Sequence, residues 1–112
     1  MIELVSPEFI LATAMILTHG AKKYDAENWR KGIKYKRIYG GIQRHLLAWF
    51  NGENNDPDSG CPHLWHASCG LMFLITYDMH DRYRNFDDRP NMDTSPETLK
   101  KYLHIMLGKD NV

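Results

Sequence analysis

Cysteine is scarce in this chain: Cys61 and Cys69 are the only two among 112 residues. That is too few for a disulfide framework, so both thiols are expected to be reduced, as in a cytosolic setting. Neither sign of charge dominates. Fourteen Lys and Arg balance fourteen Asp and Glu, and the pI is near 7.0. A coat for nucleic-acid polymers would be basic, so no polymer partner is expected and a metal-dependent nuclease is disfavoured. A small anionic ligand stays open, because local charge can differ from the total. No apolar run reaches the ~18 residues of a membrane span. The start, Met1 to Glu8, lacks the basic region of a signal peptide, so no membrane association is expected. Repeats, low-complexity tracts and the alternating pattern of a strand are absent too.

What is present is helical periodicity. The length fits one domain over residues 1–112, and 43% hydrophobic residues allow a modest core. Ser6-Pro7-Glu8 is a helix start: Ser caps, Pro fits the first turn, and Glu suits the positive end. Ile10, Ala14 and Leu17, flanked by Phe9 and Ile16, give an apolar stripe that Gly20 closes. Residues 21–32 form a polar, basic and aromatic loop with room for one helical turn. A second helix is predicted from Tyr35 to Asn51, with Ile38, Ile42, Leu46 and Trp49 on its buried face. The turn from Glu53 to Gly60 is rich in Asn, Asp, Pro and Gly. Pro62 opens a third helix predicted to last to about Tyr83, central because it is apolar between Leu64 and Ile75. Met72, Phe73, Leu74 and Met79 belong to its core face. A polar loop follows over Asn85 to Thr94. Ser95-Pro96-Glu97 then starts a last helix, with Leu99, Tyr102, Leu103, Met106 and Leu107 on one face and Gly108 as its stop. The fold class is therefore all-α, with about four main helices and the second and third paired as an antiparallel hairpin. A short chain cannot cover both faces of so apolar a third helix, so a homo-oligomer is expected.

Chemically competent groups crowd the hairpin turn. His45, Glu53, Asp56, Asp58, His63 and His66 lie at the end of the second helix, in the turn, and at the start of the third. His63 and His66 are three apart, hence on one helix face. Glu53, Asp56 and Asp58 offer the carboxylate oxygens that hard divalent cations prefer. Imidazoles can bind metal or move protons near neutral pH. Each feature also has a plain structural reading: capping histidines, a core imidazole with a partner, an acidic turn for solubility. Arg44 beside His45 carries the planar fork that grips phosphate. Upstream, Lys22, Lys23, Arg30 and Lys31 surround Tyr24 and Trp29, a mixture that can hold phosphates and stack a base. A charged surface loop whose Trp plugs the core is the alternative. His19, His80, His104 and the Asp78/Asp81 pair read as solvated or locally bonded.

Several blocks in order carry a resemblance. They are Gly20-Ala-Lys-Lys-Tyr24, Asn28-Trp29-Arg30-Lys31-Gly32, Arg44-His45-Leu46, Trp49, Gly52-Glu53, Asp56-Pro57-x-Ser59-Gly60, and His63-Leu-x-His66-Ala67. Over about residues 14–78 the chain resembles a phage-associated, MazZ-like family, the N-terminal domain of dATP/dGTP diphosphohydrolase. The resemblance implies a metal-dependent nucleotide pyrophosphohydrolase. It would cut dATP or dGTP to the monophosphate and pyrophosphate, in the cytoplasm of a phage-infected bacterial host. More distantly it implies kinship with the all-α, MazG-like pyrophosphatases. Their Glu-x-x-Glu and Glu-x-x-Asp pairs are replaced here by Arg44-His45 and His63-x-x-His66, so those metal ligands do not transfer one for one.

The chemistry such a reaction needs can be supplied residue by residue. Glu53, Asp56, Asp58, His63 and His66 are the candidate ligands for Mg2+ or Mn2+, with Co2+ a further candidate. Glu53, His63 and His66 are the candidate catalytic residues. Lys22, Lys23, Arg30 and Arg44 are expected at the phosphates, Tyr24, Asn28, Trp29 or Trp49 at the base or sugar, and His45 is a further substrate-binding candidate. The competing expectation is a non-enzymatic phage accessory domain that binds nucleotide or a protein partner.

Overall fold

A computed structural model describes residues 1–90 and 95–108. Four α-helices lie among them: α1 Pro7–Ala21, α2 Tyr35–Phe50, α3 His63–Asp78 and α4 Pro96–Met106. Short 3-10 helices occupy Ile2–Leu4, Asn28–Lys31 and Asp81–Phe86. No strand occurs among the described residues, where a single antiparallel bridge joins Asn55 and Pro62 across the hairpin turn. The all-α expectation holds, and so does the hairpin of α2 and α3.

The helix starts follow from local chemistry. The Ser6 hydroxyl accepts the Phe9 N–H at 3.1 Å, and the Ser95 hydroxyl accepts the Thr98 N–H at 3.3 Å. Each cap contributes about 1 kcal/mol. α2 has no such cap of its own. Instead the Asp88 carboxylate, from beyond α3, accepts the Lys36 N–H at 2.8 Å. The one helical turn expected in the loop after α1 is the Asn28–Lys31 segment.

α3 is central, packing against α1, α2 and the 3-10 turn after it. α2 and α3 meet closely at Gly70, where a β-carbon would sit 2.7 Å from Ile42 Cγ1. α1 crosses onto α3 through the hydroxyls of Thr13 and Ser68, 2.9 Å apart and buried. That polar pair selects the inward face of α1. Thr13 and Ile16 are buried, while Ile10 and Ala14 of the expected stripe face outward. On α2 the buried face is Tyr35, Ile38 and Ile42. Leu46 and Trp49, expected to continue it, are exposed, because the polar hairpin turn rather than a core faces that end.

α3 stops at Asp78, not Tyr83. The N–H of Met79 is shared between the carbonyls of Ile75 and Thr76, and His80 bonds back to Tyr77, which tightens and ends the helix. The following 3-10 turn swings Tyr83 inward, where it is 2% exposed. Met79 is left outside at 75% exposure, correcting its expected core role. The core joins Tyr35, Ile38, Ile42, Ala67, Tyr77 and Tyr83, with Trp29, Ile33, Phe73, Leu74 and Phe86 against it.

Two tyrosines fasten the loop that follows α1. The Tyr77 hydroxyl donates to the Trp29 carbonyl at 2.5 Å, and the Tyr83 hydroxyl donates to the Arg30 carbonyl at 2.7 Å. Burial pushes the Tyr77 hydroxyl up to about 12, with Tyr83 and Tyr35 adding to the shift. Gly32, at φ 107°, lies under the Phe86 ring, which a β-carbon there would meet at 2.3 Å. Asn85 and Phe86, expected in a loop, lie within the Asp81–Phe86 3-10 turn. Residues 91–94 of that expected loop lie outside the described residues. Both cysteines are free, Cys61 half-buried and Cys69 buried, and burial raises the Cys69 thiol to about 11.

Candidate active site

The hairpin turn is organised around Asp56. Its N–H bonds the Cys61 carbonyl at 2.8 Å, its carbonyl accepts the Gly60 N–H at 2.7 Å, and the His63 N–H reaches Asn54 at 2.9 Å. Its carboxylate accepts the Asp58 N–H at 3.2 Å and the Ser59 hydroxyl at 3.2 Å. Ser59 in turn meets His66 Nε2 at 2.7 Å and accepts the Cys61 N–H. With the Ser59 proton given to Asp56, His66 Nε2 is the donor to Ser59, and its Nδ1 carries the lone pair. Burial alone would raise the Asp56 carboxyl. The Asp58 N–H, the Ser59 hydroxyl and the nearby imidazoles outweigh it and hold the group below the usual carboxylate range.

A second polar line runs behind this one. The Glu53 carboxylate meets His63 Nε2 at 2.7 Å, and His63 Nδ1 meets His45 Nδ1 at 2.9 Å. His63 is 4% exposed, whereas the Glu53 side chain is half-exposed. His45 also stacks on His66, with centroids 4.5 Å apart and planes 4° from parallel. Loss of hydration, then repulsion from His63, lowers the His45 pKa. Burial, then His45, lowers that of His66. Glu53–His63 and Asp56–Ser59–His66 thus converge on His45 from two sides.

His45, Asp56, Ser59 and His66 border one end of a cleft of about 740 Å³ between α1, the 21–33 loop, α2 and α3. Lys23, Tyr24, Asn28, Trp29, Arg44, His45, Asp56, Asp58 and His66 all line it, as the sequence reading expects of a site. Lys22, Arg30 and Trp49 do not. Lys22 caps the end of α1. The Arg30 guanidinium pairs with Glu27 and lies 4.5 Å over the Trp29 ring. Trp49 is exposed on α2. Glu53 and His63 also stay off the cleft wall and reach it through His45. Trp29 borders the cleft and braces the core, stacked on Phe73 at 4.9 Å. Ser59, Arg37 and Phe73 line the cleft as well, and none was a candidate. Ser59 lies inside a matched block and so carried a signal, whereas Arg37, two helical turns before Arg44 on α2, carried none of its own.

A resident divalent ion needs several donors aimed at one point. Among the described residues no three of His, Cys, Asp and Glu are so arranged. Glu53 is committed to His63, and Asp56 and His66 to Ser59. The side chains therefore do not form a closed cage, and an ion held here would need oxygen ligands from another source.

The fold and cleft define a small all-α domain with an aromatic wall at one end and an imidazole–carboxylate cluster at the other. The family model for the dATP/dGTP diphosphohydrolase N-terminal domain matches residues 1–89. The chain belongs to that family. A dATP/dGTP diphosphohydrolase of Salmonella phage PMBT28 is 34% identical over 74 residues, 66% of this chain and 25% of the relative. The aligned stretch thus spans about a quarter of the relative's length. No solved structure matches the chain. No helix among the described residues is long and apolar enough to cross a membrane.

Proposed function

We propose that this chain binds a purine deoxynucleoside triphosphate in the cleft and hydrolyses it to the monophosphate and pyrophosphate. The observation that carries the reading is the two-ended cleft itself. Its volume falls in the ordinary range for a small-molecule site. Trp29, Ile33 and Phe73 offer an apolar, aromatic wall for a base. Arg44, His45, Asp56, Asp58 and His66 gather at the other end, where phosphoryl transfer needs cations, carboxylates and proton carriers. The name of the phage relative supports the same substrate class.

The roles divide accordingly. Lys23 and Arg44 meet phosphates, and Tyr24, Asn28 and Trp29 meet base or sugar. With Glu53 ionised, His63 Nε2 donates to it and His63 Nδ1 accepts from His45. His45 Nε2 is then the lone-pair nitrogen. Glu53 and His63 are positioning residues for His45, and His66 is the second imidazole at the reacting end. Metal dependence belongs to the proposal too. Magnesium or manganese, with cobalt a further candidate, enters as the complex of the triphosphate, and Asp56 and Asp58 are the carboxylates that meet it. The setting is the cytoplasm of the infected host.

Incubation with each dNTP and each of the three metals, resolving pyrophosphate from orthophosphate, tests this. The expected products are dAMP or dGMP with pyrophosphate. Orthophosphate release, or nucleotide binding without turnover under all three metals, would reject it.

A homo-oligomer is part of the same reading. The chain exposes 9036 Å², against roughly 6,400 Å² for a compact monomer of its mass. Its radius of gyration is 17.4 Å, against about 13 Å for a compact domain of this length. Ile10, Leu11 and Met15 on α1, Leu71 and Ile75 on α3, and Leu103 and Met106 on α4 are all exposed. The excess is of the size an obligate dimer buries.

A further inference from the structure

Arg37 and Arg44 both line the cleft. Seven residues apart on α2, they share one face about 10 Å apart along the axis. The Arg44 side chain lies back along the helix toward Arg37. A β-carbon on Gly40 would meet its Nη1 at 3.3 Å, and one on Gly41 its Nη2 at 3.7 Å. The guanidinium therefore rests over the glycine pair. Neither arginine makes an ion pair among the described residues. Asp25, Asp56 and Asp58 line the same cleft, yet none lies within ion-pair distance of either.

Two cations that line one wall with no acid paired to either leave that wall positive until an anion arrives. The glycines point the same way. Glycine is disfavoured in a helix interior relative to alanine, and α2 carries two in succession. Gly41 leaves bare backbone in the cleft wall, and Gly40 leaves room for the Arg44 fork, which a β-carbon there would crowd at 3.3 Å.

We infer that Arg37 and Arg44, across the bare backbone of Gly40 and Gly41, form a two-guanidinium seat for one phosphoryl group of the ligand. Arg37 is a binding residue of the site, and the glycine pair positions Arg44. The ligand class is a polyphosphate oxyanion, matched by two planar forks. The inference rests on the proposed function only for the identity of the molecule that carries the phosphate.

Calorimetric titration of the full chain with inorganic pyrophosphate, magnesium present, tests the seat without reading turnover. Wild type is expected to bind. Arg37→Ala and Arg44→Ala should each weaken binding at least tenfold. Their combination should lose less than the product of the two losses, because both forks hold one group. Gly40→Ala, whose β-carbon would crowd Nη1 at 3.3 Å, should also weaken binding while the circular dichroism stays helical. Arg37→Gln, which keeps the stem, guards against a folding defect and should fall with Arg37→Ala. Pyrophosphate affinity within twofold of wild type in folded Arg37→Gln, or no binding by wild type, overturns the inference. Loss of the seat with turnover intact leaves the hydrolase reading standing. Absence of turnover with the seat intact leaves this one standing.

Discussion

The Nδ1 atoms of His45 and His63 lie 2.9 Å apart. Two ring nitrogens at that distance cannot both carry a proton, and they do not bond if neither does. The tautomers of the two rings are therefore locked together. Glu53, on the far nitrogen of His63, decides which way the pair points.

Glu53→Gln tests that control. The amide can bond His63 from its oxygen or its nitrogen, so the direction of the pair is no longer dictated. Turnover should fall by roughly 10²- to 10⁴-fold, the range for lost acid–base function. Far-ultraviolet circular dichroism should be unchanged, since Glu53 is half-exposed and outside the helices. Wild-type activity in the variant would remove Glu53 and His63 from the mechanism.

Lys23 and Lys22 form an internal control. Lys23 lines the cleft and Lys22 does not. Lys23→Ala should lower kcat/KM by about tenfold or more, because the phosphate charge it faces grows in the transition state. Lys22→Ala should stay within about twofold. Equal effects in steady-state assays would place the triphosphate elsewhere.

Trp29→Ala should destabilise the fold and weaken nucleotide binding together. The ring is half-buried on Phe73, so a loss of about 3 kcal/mol is expected, the lower end for an aromatic truncation. Tyr77→Phe should cost roughly 0.5–1.5 kcal/mol by removing one of the two donors to the Trp29 carbonyl, the Gly32 N–H remaining. Thermal melts beside kinetics separate the two: a fall in Tm with unchanged KM for Trp29→Ala would confine the residue to the scaffold.

Acid should weaken the fold through the stacked imidazoles. His45 and His66 have folded values below the ordinary one. As pH falls, the unfolded chain takes up these protons first, so stability is complete above about pH 6.5 and declines below it. Asp56, also lowered when folded, adds its own loss only in the acid range of carboxylates. Tm should therefore drop as pH falls from about 6.5 to about 5, and His66→Asn should flatten that slope. A Tm that rises toward acid would contradict the burial of both rings.

Light scattering at micromolar concentration should give a multiple of 13.1 kDa. A charge placed at Ile75, which is exposed on α3, should shift the mass downward if that face is covered by a second copy. A monomer mass for the wild-type chain would remove the oligomer.

Much of the frame was legible because it is local. The Ser6 and Ser95 caps, the Gly/Pro hairpin turn and the glycine stop after α4 are set by neighbours in sequence. The end of α3 was not legible, because burial of Tyr83 and its bond to Arg30, 53 residues away, override the local helical pattern. The cap of α2 by Asp88 was hidden for the same reason. Within the site, Glu53, Asp56, Asp58, His63 and His66 read as one cluster. The structure parts them into a buried line through His63 and a cleft-facing line through His66. Sequence spacing gives a shared helix face, but not which nitrogen meets which carboxylate. Trp49 followed the apolar period of α2 yet lies where no core remains, and Arg37 was overlooked because one arginine in a basic stretch carries no mark of its own.

The tyrosine latches on Trp29 and Arg30 have a consequence for the order in which a ribosome delivers this chain. Residues 22–33 emerge early but are fixed by Tyr77, Tyr83 and Phe86, which emerge some fifty residues later. One wall of the cleft therefore stays open while the α2–α3 hairpin is already able to pair. A nascent chain stalled just past Asp78 carries every histidine of the cluster but lacks Tyr83 and Phe86, so the 22–33 wall is latched fully only once the 3-10 turn has left the exit tunnel.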